Sequence, residues 1–395
     1  MNEKNRILST VSIYHALNDG AISVVPILFP IFKEMYNLNY TQVGIITGLS
    51  LFVHLIAQLL IGSFADGKNS KTLLSTGILL ISVSLLLITQ TQGFYTLFIF
   101  LIFLRFSASF FHPIGVGWIS RTFKNHRVDW AMGIQSGFAD LGAFIALSTT
   151  LFITEFANWQ IPLYIWAVAG LISIMIATVI TRNVDEKYLT VKKEKIKETL
   201  KEKIDRNIDL LKRMKLLIPA FIISGSSWGI IITYLPLLLN EMTDLSLSYI
   251  GLMASVWIGI GCLTSFFYGK IRSFVGRKKV LIVSYLATGV SCILLSFFVN
   301  ILIILILIII LGITVFLTYP ALFSFISEIT DESAEGSTFG IVFTLQLGGG
   351  TILILIGGFL SDIYGIWTPF MLLGIPSLLL SLVLIFYRDK KFTLR

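Results

Sequence analysis

Asp19, Arg105 and Asp140 are ionisable residues that stand near the middle of long apolar stretches. At 1.5 Å of rise per helical residue, each would lie roughly 15 Å from the ends of its stretch. A charge at that depth in a bilayer costs about 2.5–3.5 kcal/mol on insertion scales, so it faces protein or water and marks a functional position. His15 and Asp19 are spaced i and i+4, with Asn18 beside them. Arg105, Ser109 and His112 follow i, i+4 and i+7. Gly133, Gly137 and Asp140 do the same, which places Asp140 on a stripe of small residues expected to allow close packing. Three such faces at one depth would set an arginine between two carboxylates. A carboxylate whose arginine neighbour approaches and withdraws takes up and releases a proton. Asp19, Arg105, Asp140, His15 and His112 are therefore the expected proton-coupling residues. Arg105 and Asn18 are also candidates to hold a substrate, because a guanidinium fork suits carboxylate or phosphate.

The elements that must carry these residues are membrane spans. Of the 395 residues, 55% are hydrophobic and 13% charged, against about 25% charged in soluble domains. About twelve apolar runs approach or exceed the roughly 20 residues needed to cross a bilayer. They lie near 9–33, 41–65, 72–91, 94–120, 130–154, 159–181, 216–240, 247–269, 278–298, 300–326, 337–361 and 366–387. The chain repeats itself at an offset of 207, which superposes Gly44 on Gly251, Gly62 on Gly269, Pro113 on Pro320, Gly133 on Gly340, Gly142 on Gly349 and Pro162 on Pro369. Repeats of this kind fix architecture. The expected fold is an all-α integral membrane protein, twelve transmembrane helices in two pseudo-symmetric six-helix bundles around a central cavity. The bundles are expected at 1–181 and 216–395, joined by a linker at 182–215. Shared Gly and Pro read as scaffold. The charged set is not shared: Asp19 falls on Ser226, Arg105 on Gly312, Asp140 on Leu347, and His15, His54 and His112 on Ile222, Gly261 and Tyr319. His54 is expected to serve helix packing.

The formal charge of +8 does not point to nucleic acid. Lys and Arg gather in alternate loops: Lys68 and Lys71; Arg121, Lys124 and Arg127; twelve residues between Arg182 and Lys215; and Lys270, Arg272, Arg277, Lys278 and Lys279. The opposite loops hold Lys33. The positive-inside rule then places both termini in the cytoplasm of a multi-pass protein of the cell (inner) membrane. The first run carries Asp19, Pro26 and Pro30 and reads as a retained helix rather than a cleaved signal. In the linker, Ile196, Leu200, Ile204, Ile208 and Leu211 form one apolar face, as expected of a helix lying on the membrane surface. Cys262 and Cys292 fall inside apolar runs, so neither a disulfide framework nor a metal site is expected.

Two loops carry a related pattern. One reads Gly62-Ser-Phe-Ala-Asp66-Gly-Lys68-Asn-Ser-Lys71, the other Gly269-Lys-Ile-Arg-Ser273-Phe-Val-Gly276-Arg277 followed by two lysines. Together they resemble the cytoplasmic loop motif of the major facilitator superfamily, Gly-x-x-x-Asp-x-x-Gly-Arg-Lys. Asn69 and Ser70 replace Gly and Arg in the first copy, and Ser273 replaces Asp in the second. The resemblance implies a conformational latch built from Gly62, Asp66, Lys71, Arg121, Gly269 and Arg277, with Asp66 near the start of the eleventh span, where a helix dipole favours an anion. Within that superfamily, Tyr14-His15-Ala-Leu-Asn18-Asp19-Gly20 and Phe111-His112-Pro113 resemble the fosmidomycin-resistance branch. That resemblance implies proton-driven efflux of a small molecule. The fifth span departs from the drug antiporters: it lacks their Gly-Pro.

In the second half Trp228, Tyr234, Trp257, Tyr319 and Phe343, with Gln346, offer a wall for an apolar substrate; Trp257, Tyr319 and Gln346 are the leading contacts. Glu328, Asp331, Glu332 and Glu335 read as a solvated acidic loop. No Gly-x-x-x-x-Gly-Lys-Ser/Thr loop occurs, so ATP is not the expected energy source and no cofactor is expected. A symporter or facilitator for a sugar or organic acid is the alternative. A transporter-like sensor would need a longer soluble segment, and no nucleophile–base pattern suggests an enzyme. The expected partners are a small-molecule substrate, protons and the lipid bilayer, acting on a monomer.

Overall fold

The computed structural model describes residues 2–65, 67–123, 126–185, 200–215, 217–329 and 335–386. Their regular elements are helices: α1 (Glu3–Ile27), α2 (Phe29–Met35), α3 (Tyr40–Phe64), α4 (Ser70–Ile88), α5 (Phe94–Ala108), a π-helical turn (His112–Val116), α6 (Gly117–Thr122), α7 (His126–Phe156) and α8 (Gln160–Ile180). There follow α9 (Leu200–Arg213), α10 (Ile218–Met242), α11 (Leu247–Val275), α12 (Arg277–Leu295), α13 (Ile301–Ile329), α14 (Glu335–Tyr364) and α15 (Thr368–Phe386). Among the described residues 11 helices are long and apolar enough to cross a membrane, and α1 with α2 supplies a twelfth that bends by 41°. The bend is written in the sequence, since Pro30 opens α2 and Pro26 ends α1. Large apolar side chains such as Leu60, Tyr95, Met175, Val179, Phe266 and Phe386 stay exposed, as lipid-facing positions must.

Contacts divide the chain into two compact units: 1–38, 49–195 and 245–255 form one, and 39–48, 196–244 and 256–395 the other. Helices α3 and α11 each give their first turns to one unit and the remainder to the other. In the first unit α1 packs most extensively on α7; in the second, α10 does so on α14 and α12 on α15. The 207-residue offset relates α1 to α10 and α7 to α14, so the same contact is made twice.

Small residues make these approaches possible. A Cβ on Gly142 would run into the Ala16 backbone, and one on its repeat partner Gly349 would stand 2.6 Å from Ile222. A Cβ on Gly44 would lie 3.0 Å from the Ile354 carbonyl, and one on Gly251 would lie 2.9 Å from the Leu147 carbonyl. Leu147 and Ile354 are themselves 207 apart, so both members of each contact obey the repeat. The stripe expected through Gly133, Gly137 and Asp140 is displaced by one face. Gly133 has open space around it, and the buried alanines and glycines of α7 are Ala131, Ala139, Gly142, Ala143 and Ala146.

The same repeat governs two helix N-termini. The Tyr40 and Thr41 backbone N–H groups donate to Asp362 Oδ1 and Oδ2, both at 2.8 Å, and the Tyr40 hydroxyl donates to Glu241. Asn39 and Gln42 form a reciprocal capping box on that end, at 2.8 and 3.0 Å. In the first unit the Ser248 backbone N–H donates to Glu155 Oε2 at 2.6 Å. Glu155 and Asp362 are 207 apart, as are Thr41 and Ser248. Each carboxylate satisfies orphan N–H groups and meets the positive end of a helix dipole.

Of the linker, residues 186–199 lie outside the described residues. Helix α9 buries Leu210, with Met214 just beyond its end, and leaves Ile208 exposed.

Gly142→Ala should lower the thermal midpoint of the purified protein, because overpacking against backbone costs about 1–3 kcal/mol. Gly133→Ala should leave it unchanged or raise it, since the helix gains about 0.8–1.0 kcal/mol of propensity and nothing blocks the methyl. A thermal unfolding series in one detergent reads both.

Candidate functional site

Asn18, His15 and His112 of the first unit gather around Asp19. Helix α1 presents His15, Asn18 and Asp19 within five residues; His15 is 4% exposed and Asn18 1%. Asn18 Nδ2 donates to Asp19 Oδ1 at 2.8 Å, while Asp19 Oδ2 lies 3.7 Å from His15 Nε2. The other ring nitrogen of His15, Nδ1, is 3.0 Å from the Gln135 carbonyl on α7. A carbonyl can only accept, so Nδ1 carries the proton of that bond. The imidazole stacks on Phe111 with ring centroids 4.0 Å apart and meets His112 edge-on at 5.4 Å.

The break after α5 positions the rest. Pro113 has no N–H, and the helix yields ahead of it: Ser109 N–H bonds to Phe106 O, three residues back, instead of to Arg105 O. The Arg105 carbonyl is taken by His54 Nδ1 from α3 at 2.8 Å. His54 Nε2 in turn accepts from Gln58 Nε2 at 2.8 Å. Both nitrogens of His54 are thus committed, and its role is to satisfy a carbonyl that the break exposes. The chain then winds through the π-helical turn that holds His112 and resumes as α6. Turns of this kind recur at functional sites.

Arg105 is 7% exposed, and its Nε makes no hydrogen bond among the described residues. No ion pair joins it to Asp19 among those residues; the charge of Asp19 acts on Arg105, His15 and His112 second to their burial, and least on His54. Asp140 lies half-buried on α7, five residues after Gln135. His15, Asp19 and His112 each offer a ligand atom, and the three atoms lie within 4.8 Å of one another, so these residues could hold a metal ion.

The second unit replaces charge with rings. Trp228, Trp257 and Phe316 form a triangle with centroids 5.1 to 5.8 Å apart, and Tyr319 joins it 6.4 Å from Phe316. The Tyr319 hydroxyl donates to the Ser224 carbonyl at 3.0 Å. Trp257 Nε1 and Gln346 Nε2 are buried and make no hydrogen bond among the described residues. Tyr234 stands apart, donating to the Ile354 carbonyl at 2.7 Å, and Phe343 pairs with Phe323 instead. Phe316 was not singled out in the sequence, although it precedes Tyr319 by one helical turn.

The loop residues make local anchors. Arg121 Nη2 donates to Ser70 Oγ at 2.9 Å, and Arg277 Nη1 donates to the Ser324 carbonyl at 2.9 Å with its guanidinium 4.6 Å from the Phe325 ring. A Cβ on Gly62 would lie 3.5 Å from Pro113, and Gly269 has open space. Lys71 is half-buried in the first turn of α4. Asp66 lies outside the described residues.

Apolar spans in a repeated bundle, with a buried polar cluster in one repeat, define a membrane transport protein. The family model for the Major Facilitator Superfamily matches residues 11–272 and 217–394. The chain belongs to that superfamily. It is similar to the "Proton-coupled antiporter flippase LtaA" of Staphylococcus saprophyticus, 23% identical over 86% of each chain. It is also similar to the "Multidrug resistance protein MdtG" of Proteus mirabilis, 27% identical over 43% of each. Among solved structures, the nucleoside transporter NupG superposes with a TM-score of 0.79 at 14% identity, covering 97% of this chain and 99% of NupG. A bacterial homologue of the lysosomal transporter Spinster gives 0.75 at 13% identity, over 98% and 95%. At these identities the structures establish the fold.

His54→Phe removes the partner of a buried carbonyl, a loss of about 1–3 kcal/mol, and should lower the thermal midpoint. His54→Gln, which can still donate to that carbonyl, should recover part of it. Equal midpoints for the two variants would contradict the assigned role.

Proposed function

We propose that the chain is a secondary active transporter that moves a small organic molecule outward by alternating access, in exchange for protons. The observation that carries the reading is the Asp19 cluster: one half-buried carboxylate bonded by Asn18, 3.7 Å from His15, and with a His112 ring nitrogen within 4.8 Å. The equivalent positions in the second repeat, Ser226, Ile222, Gly261, Tyr319 and Gly312, carry no such chemistry. Coupling needs an acid that trades its proton when its neighbours move, and Asp19 is the acid proposed to do so. His15 and His112 border it, and Arg105 and Asp140 are proposed to act with them. Arg105 and Asn18 are the proposed polar contacts to substrate in the first unit, and Trp257, Tyr319 and Gln346 those in the second. The names of the relatives support efflux and proton exchange, and the Tyr14–Gly20 and Phe111–Pro113 motifs favour the fosmidomycin-resistance branch. The charge of the alternate loops favours a cell membrane with both termini in the cytoplasm. The protein is proposed to work as a monomer, with Gly62, Asp66, Lys71, Arg121, Gly269 and Arg277 latching its cytoplasmic loops.

Alternating access requires contacts that break in turn. The Glu155 and Asp362 caps stand at the span ends away from the Lys/Arg-rich loops, and they are proposed to open when those ends separate.

A symporter or facilitator for an anion is the second reading, favoured by the Arg105 Nε that no protein group engages among the described residues. A substrate panel separates the two. If only anions move, and Arg105→Lys raises KM without changing pH dependence, Arg105 is a substrate ligand.

In proteoliposomes with an imposed pH gradient, Asp19→Asn should abolish gradient-driven transport; retained coupling would count against Asp19. For the caps, Thr47→Cys in a background lacking Cys262 and Cys292 gives a buried reporter, since Thr47 is 2% exposed. The added pair Glu155→Gln and Asp362→Asn should speed its labelling by a membrane-impermeant thiol reagent severalfold. Unchanged labelling would show that the caps do not gate that end.

A further inference from the structure

We propose that His15, Asp19 and His112 form a binding site for one divalent transition-metal ion of the zinc and cobalt class. The expectation of no metal came from the cysteines, and these three donors meet only in space. Their ligand atoms lie within 4.8 Å of one another. In a tetrahedral site with bonds of 2.0–2.1 Å, ligand atoms are about 3.3 Å apart. Closure therefore needs side-chain shifts of about 1.5 Å or less, while His15 Nε2 and Asp19 Oδ2 already stand at 3.7 Å.

Two further observations point to a ligand. His15 Nε2 is buried and makes no hydrogen bond among the described residues. Because Nδ1–H is spent on the Gln135 carbonyl, Nε2 of the neutral ring presents a lone pair toward a carboxylate oxygen. Two acceptors facing each other leave room between them for a proton or a metal ion, and the third donor, His112, favours the ion. An imidazole that donates one nitrogen to a backbone carbonyl and offers the other is also the usual arrangement of a metal-binding histidine. On the acid, Asn18 engages Oδ1 and leaves Oδ2 toward His15. His112 approaches edge-on from the π-helical turn.

The donor set selects the ion. Two imidazoles and one carboxylate suit zinc, cobalt or nickel rather than magnesium or calcium, which take oxygen ligands. Three protein ligands leave a position open, as in sites that bind an exchangeable group rather than a structural ion. Arg105 opposes a second positive charge here, and Asp19 offsets it. In the other repeat the matching residues are Ile222, Ser226 and Tyr319, so this site has no counterpart there. Metal binding is read without transport, so it stands or falls separately from proton coupling.

The test is cobalt titration of the purified full chain, with any affinity tag removed, followed by visible d–d absorption. One cobalt per chain should bind with intense four- or five-coordinate bands, and zinc should displace it. His112→Gln and Asp19→Asn should each weaken binding at least tenfold, while His126→Ala, the fourth histidine, should not change it. Undiminished affinity in His112→Gln and Asp19→Asn, or loss only in His126→Ala, would overturn the proposal. X-ray absorption of the zinc-loaded wild type needs no variant to fold. Two imidazoles in the first shell support the site, and a shell without imidazole scattering overturns it.

Discussion

A carboxylate held inside an apolar bundle must be matched by its neighbours, and the first unit is arranged around that requirement. Asp19 takes one amide donor from Asn18 and faces an imidazole at 3.7 Å. Its charge also extends to Arg105, which has no closer acid in ion-pair contact among the described residues. Burying an acid and a base without a direct pair costs more than a pair does. The break after α5, the π-helical turn and the His54 bond to the Arg105 carbonyl then have one purpose: they fix where the cationic side of the cluster sits.

The second unit shows what the scaffold does without that chemistry. Gly44 and Gly251, Gly142 and Gly349, and the carbonyls of Leu147 and Ile354 make matched close approaches. Asp362 and Glu155 cap matched helix ends. Where the first unit has His15, Arg105 and His112, the second has Ile222, Gly312 and Tyr319, and its interior is filled by Trp228, Trp257 and Phe316. One repeat is specialised for charge and the other for apolar and aromatic contact, on a common frame.

Much of the frame was legible in the residues. Long apolar runs, the 207-residue offset and paired Gly and Pro gave the helices and their close contacts, because helix length and backbone approach are local or repeated properties. The bend at Pro26 to Pro30 was visible for the same reason. The site was legible only as a set of candidates. Gln135 acts through a backbone carbonyl, which no side-chain pattern reports. Phe111 lay within a quoted motif, but its stacking on His15 depends on the orientation set by the π-helical turn. Asp140 was placed on a packing stripe that runs one face away, since 3.6 residues per turn leaves the direction of a face open until its partner is known. Glu155 and Asp362 gave no signal alone; their meaning lies in the N–H groups they meet and in their exact repeat spacing.

The central claim is that His15 and His112 share one site with Asp19 and respond to its charge. Side-chain 15N spectroscopy of histidine-labelled protein, wild type against Asp19→Asn, addresses it without a known substrate. The account predicts that the His15 and His112 resonances shift together while His126 stays in place. Unmoved His15 and His112 signals would contradict it.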